Sequence, residues 1–121
     1  MEKAKVLIVD DDVNFSRMLS DFLRSQYAVN VANNLEDAIN IFRLHKHKVV
    51  LLDFKMPIVY GDRFLPILQE INPAVRVIVV TGCLGEEVEE KFKGLGYFAF
   101  FEKGGLSLQK LKGKVEEAVR Y

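Results

Sequence analysis

Carboxylates stand directly after two of the most apolar runs in the chain. Asp10, Asp11 and Asp12 follow VLIV, and Asp53 follows VVLL. Adjacent carboxylates raise one another's pKa unless a cation neutralises them, and Mg²⁺ binds such groups together with waters and phosphate oxygens. A helix N-cap needs only one carboxylate. The triplet therefore favours a metal site over a cap alone.

Asp53, Thr81 and Lys103 add groups that suit phosphoryl transfer. An aspartate can attack a phosphoryl group and form an acyl phosphate. That reaction needs a cation on the phosphoryl oxygens and further groups to stabilise the remaining charge. Thr81 and Lys103 end or follow later apolar runs and supply a hydroxyl and an ammonium.

Five short apolar runs predict the strands that position these residues. The first, third and fourth are nearly continuous in Val, Ile and Leu, as in parallel strands buried on both faces. The second alternates, which is typical of an edge strand. The runs are KVLIVD (5–10), AVNVA (28–32), KVVLLD (48–53), VRVIVVT (75–81) and YFAFF (97–101).

Amphipathic patterns between the runs predict five helices. The first helix follows Asn14, the second follows the capping pair Asn33-Asn34, and the last follows a Ser107 cap. The third and fourth fall within 62–71 and 86–94. Pro66 predicts that the third helix starts late, because proline is tolerated in the first turn. Strict alternation of strand and helix implies a five-stranded parallel sheet with helices on both faces. Function in such sheets sits at the carboxyl ends of the strands.

The whole chain sets further limits. Its 121 residues suit one domain, spanning 1–121 without an output domain in this chain. The 17 basic and 17 acidic residues cancel, which argues against a sequence-independent nucleic-acid binder. A single cysteine, Cys83, excludes an intrachain disulfide. No stretch approaches the roughly 20 apolar residues of a spanning helix, so we expect a soluble, cytoplasmic protein.

Four motifs in order resemble the response regulator receiver domain of two-component signalling. They are VLIVDDD, LLDFKMPxxxG, VIVVTG and FFEKG, and the resemblance covers essentially the entire chain. It implies a chemotaxis-type receiver fold: a doubly wound (βα)5, flavodoxin-like sandwich with strand order 2-1-3-4-5.

The resemblance also implies a role for individual residues. Asp53 matches the phosphorylated aspartate, and Asp10 and Asp11 match the acidic pair that holds Mg²⁺ beside it. The remaining matches are the Lys55 main-chain carbonyl as a further Mg²⁺ ligand, Thr81 and Lys103 as phosphoryl-binding residues, and Phe100 as the switch aromatic.

In function, the resemblance implies a phospho-acceptor switch. A sensor histidine kinase, a phosphotransfer protein or a small phosphodonor would transfer phosphoryl to Asp53 with Mg²⁺, and a partner or effector would read the conformational change. Such a module catalyses only its own phosphorylation and dephosphorylation, so it is not an enzyme acting on a metabolite. We further expect a homodimer through the fourth helix, fifth strand and fifth helix, and no direct nucleic-acid or membrane partner.

Departures from the motif leave two alternatives open. Lys103 is followed by Gly104-Gly105 instead of proline, which predicts a trans path or a looser loop. A degenerate receiver that only binds or dimerises would fit that change. A haloacid-dehalogenase-like phosphatase would use Asp10 of a D-x-D pair, but the threonine expected shortly afterwards is absent.

His45 and His47 have a spacing that suits no common metal site. We interpret them as basic residues that complement the dipole at a helix C-terminus.

Overall fold

Five parallel strands form one sheet in the order β2-β1-β3-β4-β5. The strands of this computed structural model are β1 (Lys5–Val9), β2 (Ala28–Ala32), β3 (Val49–Leu52), β4 (Arg76–Thr81) and β5 (Ala99–Glu102). In register, Val6 lies beside Val29 on one side and Val49 on the other. The predicted fold class and strand order are confirmed.

One helix follows each strand. The helices are α1 (Val13–Leu23), α2 (Leu35–His45), α3 (Gly61–Ile71), α4 (Glu86–Phe92) and α5 (Leu108–Arg120). The structure describes residues 2–82 and 86–120, so Cys83 lies outside the described residues. No helix in these two stretches is long and apolar enough to cross a membrane.

The sheet separates two apolar clusters. One packs around Phe42 of α2, Phe64 of α3 and Phe92 of α4. The other packs around Leu19 of α1 and Leu111 of α5. Every residue of β3 is buried, which fits a strand of continuous Val and Leu covered on both faces. β2 is half-buried and lies at one edge, as predicted.

Capping side chains fix where three helices begin. Asp12 accepts a hydrogen bond from the Phe15 main-chain N–H at 3.0 Å. Asn34 accepts one from Asp37 N–H at 2.8 Å, and Ser107 Oγ accepts one from Lys110 N–H at 3.2 Å. The caps predicted at Asn34 and Ser107 are confirmed, and each satisfies one of the free N–H groups of a first turn.

The predicted late start of the third helix is wrong. α3 begins at Gly61 and continues through Pro66. Proline removes one main-chain hydrogen bond from a helix interior, but Pro66 is exposed while Phe64, Leu65 and Leu68 are buried. Burial of these three side chains holds the helix together across the missing bond.

The interpretation of His47 as a helix-terminal base is also wrong. α2 ends at His45, and His47 is fully buried beyond it. Its Nε2 lies 2.8 Å from Asn30 Oδ1 of β2, and its ring stacks on Phe42 with centroids 6.1 Å apart. Burial, followed by the charges of His45 and Lys5, lowers the pKa of His47 to about 4. His47 is therefore a neutral core residue at neutral pH.

Candidate functional site

Parallel strands bring the predicted site residues to one edge of the sheet. Asp10 follows β1, Asp53 follows β3, Thr81 ends β4 and Lys103 follows β5. Lys103 Nζ lies 2.8 Å from Asp10 Oδ2 and 3.8 Å from Asp53 Oδ2. The ammonium therefore pairs with two carboxylates that are both almost fully buried.

Three carboxylates meet closely enough to hold a cation. One oxygen from each of Asp10, Asp11 and Asp53 can be chosen so that all lie within 4.8 Å of one another. Asp12 is not part of this group, because its side chain caps α1. The structure thus divides the acidic triplet: one member caps a helix and two join Asp53.

Burial sets the electrostatics of the acceptor candidate. It raises the pKa of Asp53 to about 6, and the charge of Asp10 adds to the effect. Lys103, a hydrogen bond from Thr81 and one from Phe54 N–H at 2.8 Å act in the opposite direction. Burial likewise raises the pKa of Asp10. Oxygen donors with an excess of negative charge suit a hard divalent cation, so the residues present fit Mg²⁺.

Lys103 is held by an aromatic ring as well as by carboxylates. Its Nζ lies 4.4 Å from the centroid of the Phe15 ring, within range of a cation–π contact. Burial opposes its charge, but the hydrogen bond to Asp10 and the nearby acidic charges raise the pKa of Lys103 overall. The amphipathic pattern after Asn14 marks Phe15 only as an apolar residue of the first helix. Its position one turn after the acidic triplet is the signal that marks it.

A second residue missed by sequence reasoning anchors the loop after β1. Asn33 Nδ2 donates to the Asp10 main-chain oxygen at 2.7 Å and to Ser16 Oγ at 3.1 Å. Asp10 Oδ1 in turn accepts from Asp12 N–H at 2.9 Å. These bonds fix the acidic loop, although Asn33 looked like one of two equivalent capping residues.

The glycines after Lys103 do not displace its side chain. The described part of the chain contains no cis peptide bond, so Lys103-Gly104 follows the trans path, one of the two predicted alternatives. Gly105 adopts a φ of 73°, which glycine tolerates far better than other residues. The loop therefore turns without the usual proline while the ammonium still reaches Asp10.

Gly61 keeps the loop after Asp53 close to the strand. Its N–H donates to the Phe54 main-chain oxygen at 2.7 Å. A Cβ at this position would clash with the main-chain oxygen of Asp53 and would lie 3.0 Å from Phe54 Cα. Only glycine permits this approach, so Gly61 helps to position the acceptor candidate.

The other predicted site residues are Thr81, Lys55 and Phe100. Thr81 is fully buried and hydrogen-bonds Asp53. Lys55 lines a surface cleft together with Asp53. Phe100 of β5 is half-buried on the α4 side of the sheet. Its ring packs edge-on against Phe92 and Tyr97, with centroids 6.2 Å away in both cases.

The family model of the response regulator receiver domain matches residues 6–116. The chain belongs to this family. A protein-glutamate methylesterase/protein-glutamine glutaminase of Bacillus subtilis is 32% identical over 95% of this chain and 34% of its own length. The response regulator GacA of Pseudomonas aeruginosa is 33% identical over 83% of this chain and 48% of its own. The receiver thus spans about a third to a half of these relatives.

Solved receiver structures have the same fold. The signal receiver domain of a DNA-binding response regulator from Colwellia psychrerythraea has a TM-score of 0.87 at 26% identity, covering 98% of this chain and 100% of that one. A BeF3-activated DrrB receiver domain has a TM-score of 0.89 at 24% identity, covering 98% and 99%. The latter likeness shows the fold alone.

Proposed function

We propose that this receiver is a phospho-acceptor switch that takes a phosphoryl group on Asp53 in a Mg²⁺-dependent reaction. The donor is a sensor histidine kinase, a phosphotransfer protein or a small phosphodonor. The observation that carries the proposal is the grouping of Asp53 with Asp10, Asp11 and Lys103 at the sheet edge of a receiver-family chain.

The chemistry assigns one task to each residue. A carboxylate oxygen of Asp53 attacks phosphorus; a P–O bond forms while the P–N bond of a phosphohistidine breaks, and the electron pair leaves on the imidazole nitrogen. The Phe54 N–H on Asp53 Oδ1 holds the carboxylate in one orientation. Asp10, Asp11, Asp53 and the Lys55 carbonyl would hold Mg²⁺, which neutralises phosphoryl oxygens.

Lys103 connects the resting and phosphorylated states. In the structure it pairs with both Asp10 and Asp53. In the proposed reaction Asp10 would serve as a Mg²⁺ ligand, Lys103 would pair with a phosphoryl oxygen, and Thr81 would donate its hydroxyl to the phosphoryl group. This exchange of partners moves the β4 and β5 ends. Phe100 and its aromatic neighbours would transmit that movement to α4 and β5.

Two further features of the proposal concern partners and location. We propose a cytoplasmic protein that pairs through α4, β5 and α5, where the acidic first turn of α4 and the lysines of α5 offer opposite charges. Sedimentation equilibrium with and without beryllofluoride measures the pairing. Added salt should weaken it, because salt screens these charges.

Intact mass spectrometry with acetyl phosphate tests the phospho-acceptor proposal. We expect one Mg²⁺-dependent phosphoryl adduct that Asp53→Asn abolishes, while the exposed control Asp21→Asn retains it. An adduct that survives Asp53→Asn and vanishes with Asp10→Asn would instead support the phosphatase-like chemistry. Wild-type protein that forms no adduct with acetyl phosphate or with phosphorylated kinases would indicate a degenerate receiver.

A further inference from the structure

Ile58, beside the acceptor cleft, has a backbone conformation that its residue type disfavours. Its φ is 77°, in the left-handed region, where a β-branched residue is an outlier. The Val59 N–H donates to the Pro57 main-chain oxygen at 2.9 Å, so Ile58 is the centre of a γ-turn of the rarer, strained hand. The side chain is fully exposed. The fold thus maintains a strained residue whose side chain gains no burial within this chain.

The loop that presents Ile58 is fixed at both ends and in its middle. Gly61 N–H donates to the Phe54 main-chain oxygen at 2.7 Å, which closes the loop over residues 54–61. Met56 is buried within the loop, and Tyr60 packs its ring on Phe54 with centroids 5.0 Å apart. Ile58 is therefore held in one place, and a partner that binds it does not have to order a flexible loop.

Pro57, Ile58 and Tyr60 form an apolar ridge, called here the acceptor ridge. It lines one wall of a cleft of about 730 Å³ that also contains Asp53, Lys55 and Lys103. On its other side Ile58 and Tyr60 line a second cleft of about 500 Å³ with Asp62, Arg63 and Lys91. The ridge stands between the reacting carboxylate and a polar surface, and Tyr60 is 49% exposed.

We infer that the acceptor ridge, with Ile58 as its anchor, is a docking site for the protein that carries the phosphohistidine donor. This inference rests on the proposed function. A donor protein must bring its phosphoryl group to Asp53 and therefore has to cover the rim of the cleft. An exposed, rigid apolar side chain beside that entry, bordered by charged groups, has the arrangement of an interface hot spot. A small phosphodonor enters the cleft without needing the ridge.

Comparison of a protein donor with a small donor tests the inference. A panel of purified histidine-kinase cores, autophosphorylated with radiolabelled ATP, is offered to the wild type, and the fastest donor is used. Ile58→Asn removes the apolar anchor while asparagine tolerates the left-handed φ; Ile58→Met retains an apolar side chain. Leu44→Asn is the matched control, because Leu44 is 75% exposed at the end of α2, away from the cleft.

We expect Ile58→Asn to lower kcat/KM for transfer from the kinase by about tenfold, chiefly through KM. Ile58→Met and Leu44→Asn should transfer like the wild type. With acetyl phosphate, all variants should form the adduct at rates within about twofold of the wild type, since docking is not involved.

Several results would overturn the inference and leave the proposed function intact. In the first, Ile58→Asn takes phosphoryl from the kinase as fast as the wild type does. In the second, Ile58→Asn lowers the rate of transfer from the kinase and from acetyl phosphate equally. In the third, the wild type accepts phosphoryl from acetyl phosphate but from no kinase. Self-association of the wild type that Ile58→Asn abolishes would assign the ridge to a second copy instead. A wild type that forms no adduct with any donor would refute the proposed function and this inference together.

Discussion

His47 makes stability depend on pH through a single buried ring. Its Nδ1 has no hydrogen-bond partner among residues 2–82 and 86–120, and its pKa is lowered from 6.5 to about 4. The unfolded state therefore binds a proton first as pH falls. The stability that His47 contributes is present above pH 6.5 and is lost as pH falls through about 4.

We expect His47→Gln to flatten the pH dependence of the free energy of unfolding in this window. Between pH 7 and pH 4, the wild type should lose roughly 2–3 kcal/mol more of its free energy of unfolding than His47→Gln loses. Urea denaturation from pH 7 to pH 4 measures it. His45→Gln should retain most of the slope, and equal slopes in wild type and His47→Gln would contradict the assignment.

Lys103 balances two buried carboxylates, so its removal leaves negative charge without a partner. We expect Lys103→Met to destabilise the metal-free protein at pH 7.5 by roughly 3 kcal/mol. The loss should shrink toward pH 5, because Asp53 with its pKa of about 6 then takes up a proton. Added Mg²⁺ should restore part of the stability.

Thermal unfolding in EDTA and in Mg²⁺ checks this expectation. Lys93→Met is the control, since the Lys93–Glu90 pair is 3.8 Å long and more than 70% exposed on both sides. Such exposed pairs contribute about 0–1 kcal/mol. If both lysine substitutions cost the same, the buried pairing of Lys103 would not matter to stability.

The residues of the site were predictable from strand ends, but their distances were not. Asp10, Asp53, Thr81 and Lys103 each follow or end an apolar run, and parallel strands necessarily bring such positions together. Lys103 lies nearer Asp10 than Asp53 because Phe15 and the loop after β5 position its side chain. That depends on the contact between Phe15 of α1 and Lys103 after β5, which no local pattern encodes.

At the scale of elements, the loop between β3 and α3 depends on one close approach. We expect Gly61→Ala to destabilise the protein by roughly 2–4 kcal/mol, because the new Cβ would clash with the Asp53 main chain. Acetyl phosphate labelling should slow as well, since the carboxylate would shift. Chemical denaturation and intact mass measure the two effects.

A glycine inside α5 provides the matched substitution. Beyond the backbone of α5 itself, no atom of the described residues lies within 4 Å of a Cβ placed at Gly113. Gly113→Ala should stabilise by about 0.5–1 kcal/mol, because alanine favours a helix interior over glycine. Equal effects of the two substitutions would mean that the contact with Asp53 does not explain Gly61.

Local patterns predicted most elements for physical reasons that also explain the exceptions. β1, β3 and β4 are nearly continuous in Val, Ile and Leu, a composition that is typical of strands buried on both faces. The pattern failed at Pro66 and at His47. In both places buried neighbours decide the structure: the apolar face of α3 in the first case and Phe42 with Asn30 in the second.

At the scale of the molecule, burial differs strongly from strand to strand. β3 lies in the middle of the sheet and is fully buried, whereas β5 is an edge strand of half-buried and exposed residues. α4 has seven residues, of which Val88 and Phe92 are buried. Few buried contacts imply easy local opening.

Hydrogen exchange should follow this gradient. We expect the amides of β1 and β3 to exchange only through global unfolding, and those of β5 and α4 to exchange at least about tenfold faster. Mass spectrometry of peptic fragments resolves the two groups. Uniform protection across the sheet would contradict the expectation.

The order of the strands has a mechanical consequence. Asp53 follows the fully buried inner strand β3, while Phe100 lies on the half-buried edge strand β5. Strain introduced at a stiff element is relieved where the restoring force is smallest. In the proposed switch, a charge added at Asp53 would therefore displace the β5 edge and α4 more than β3, and a signal would leave the acceptor toward that edge.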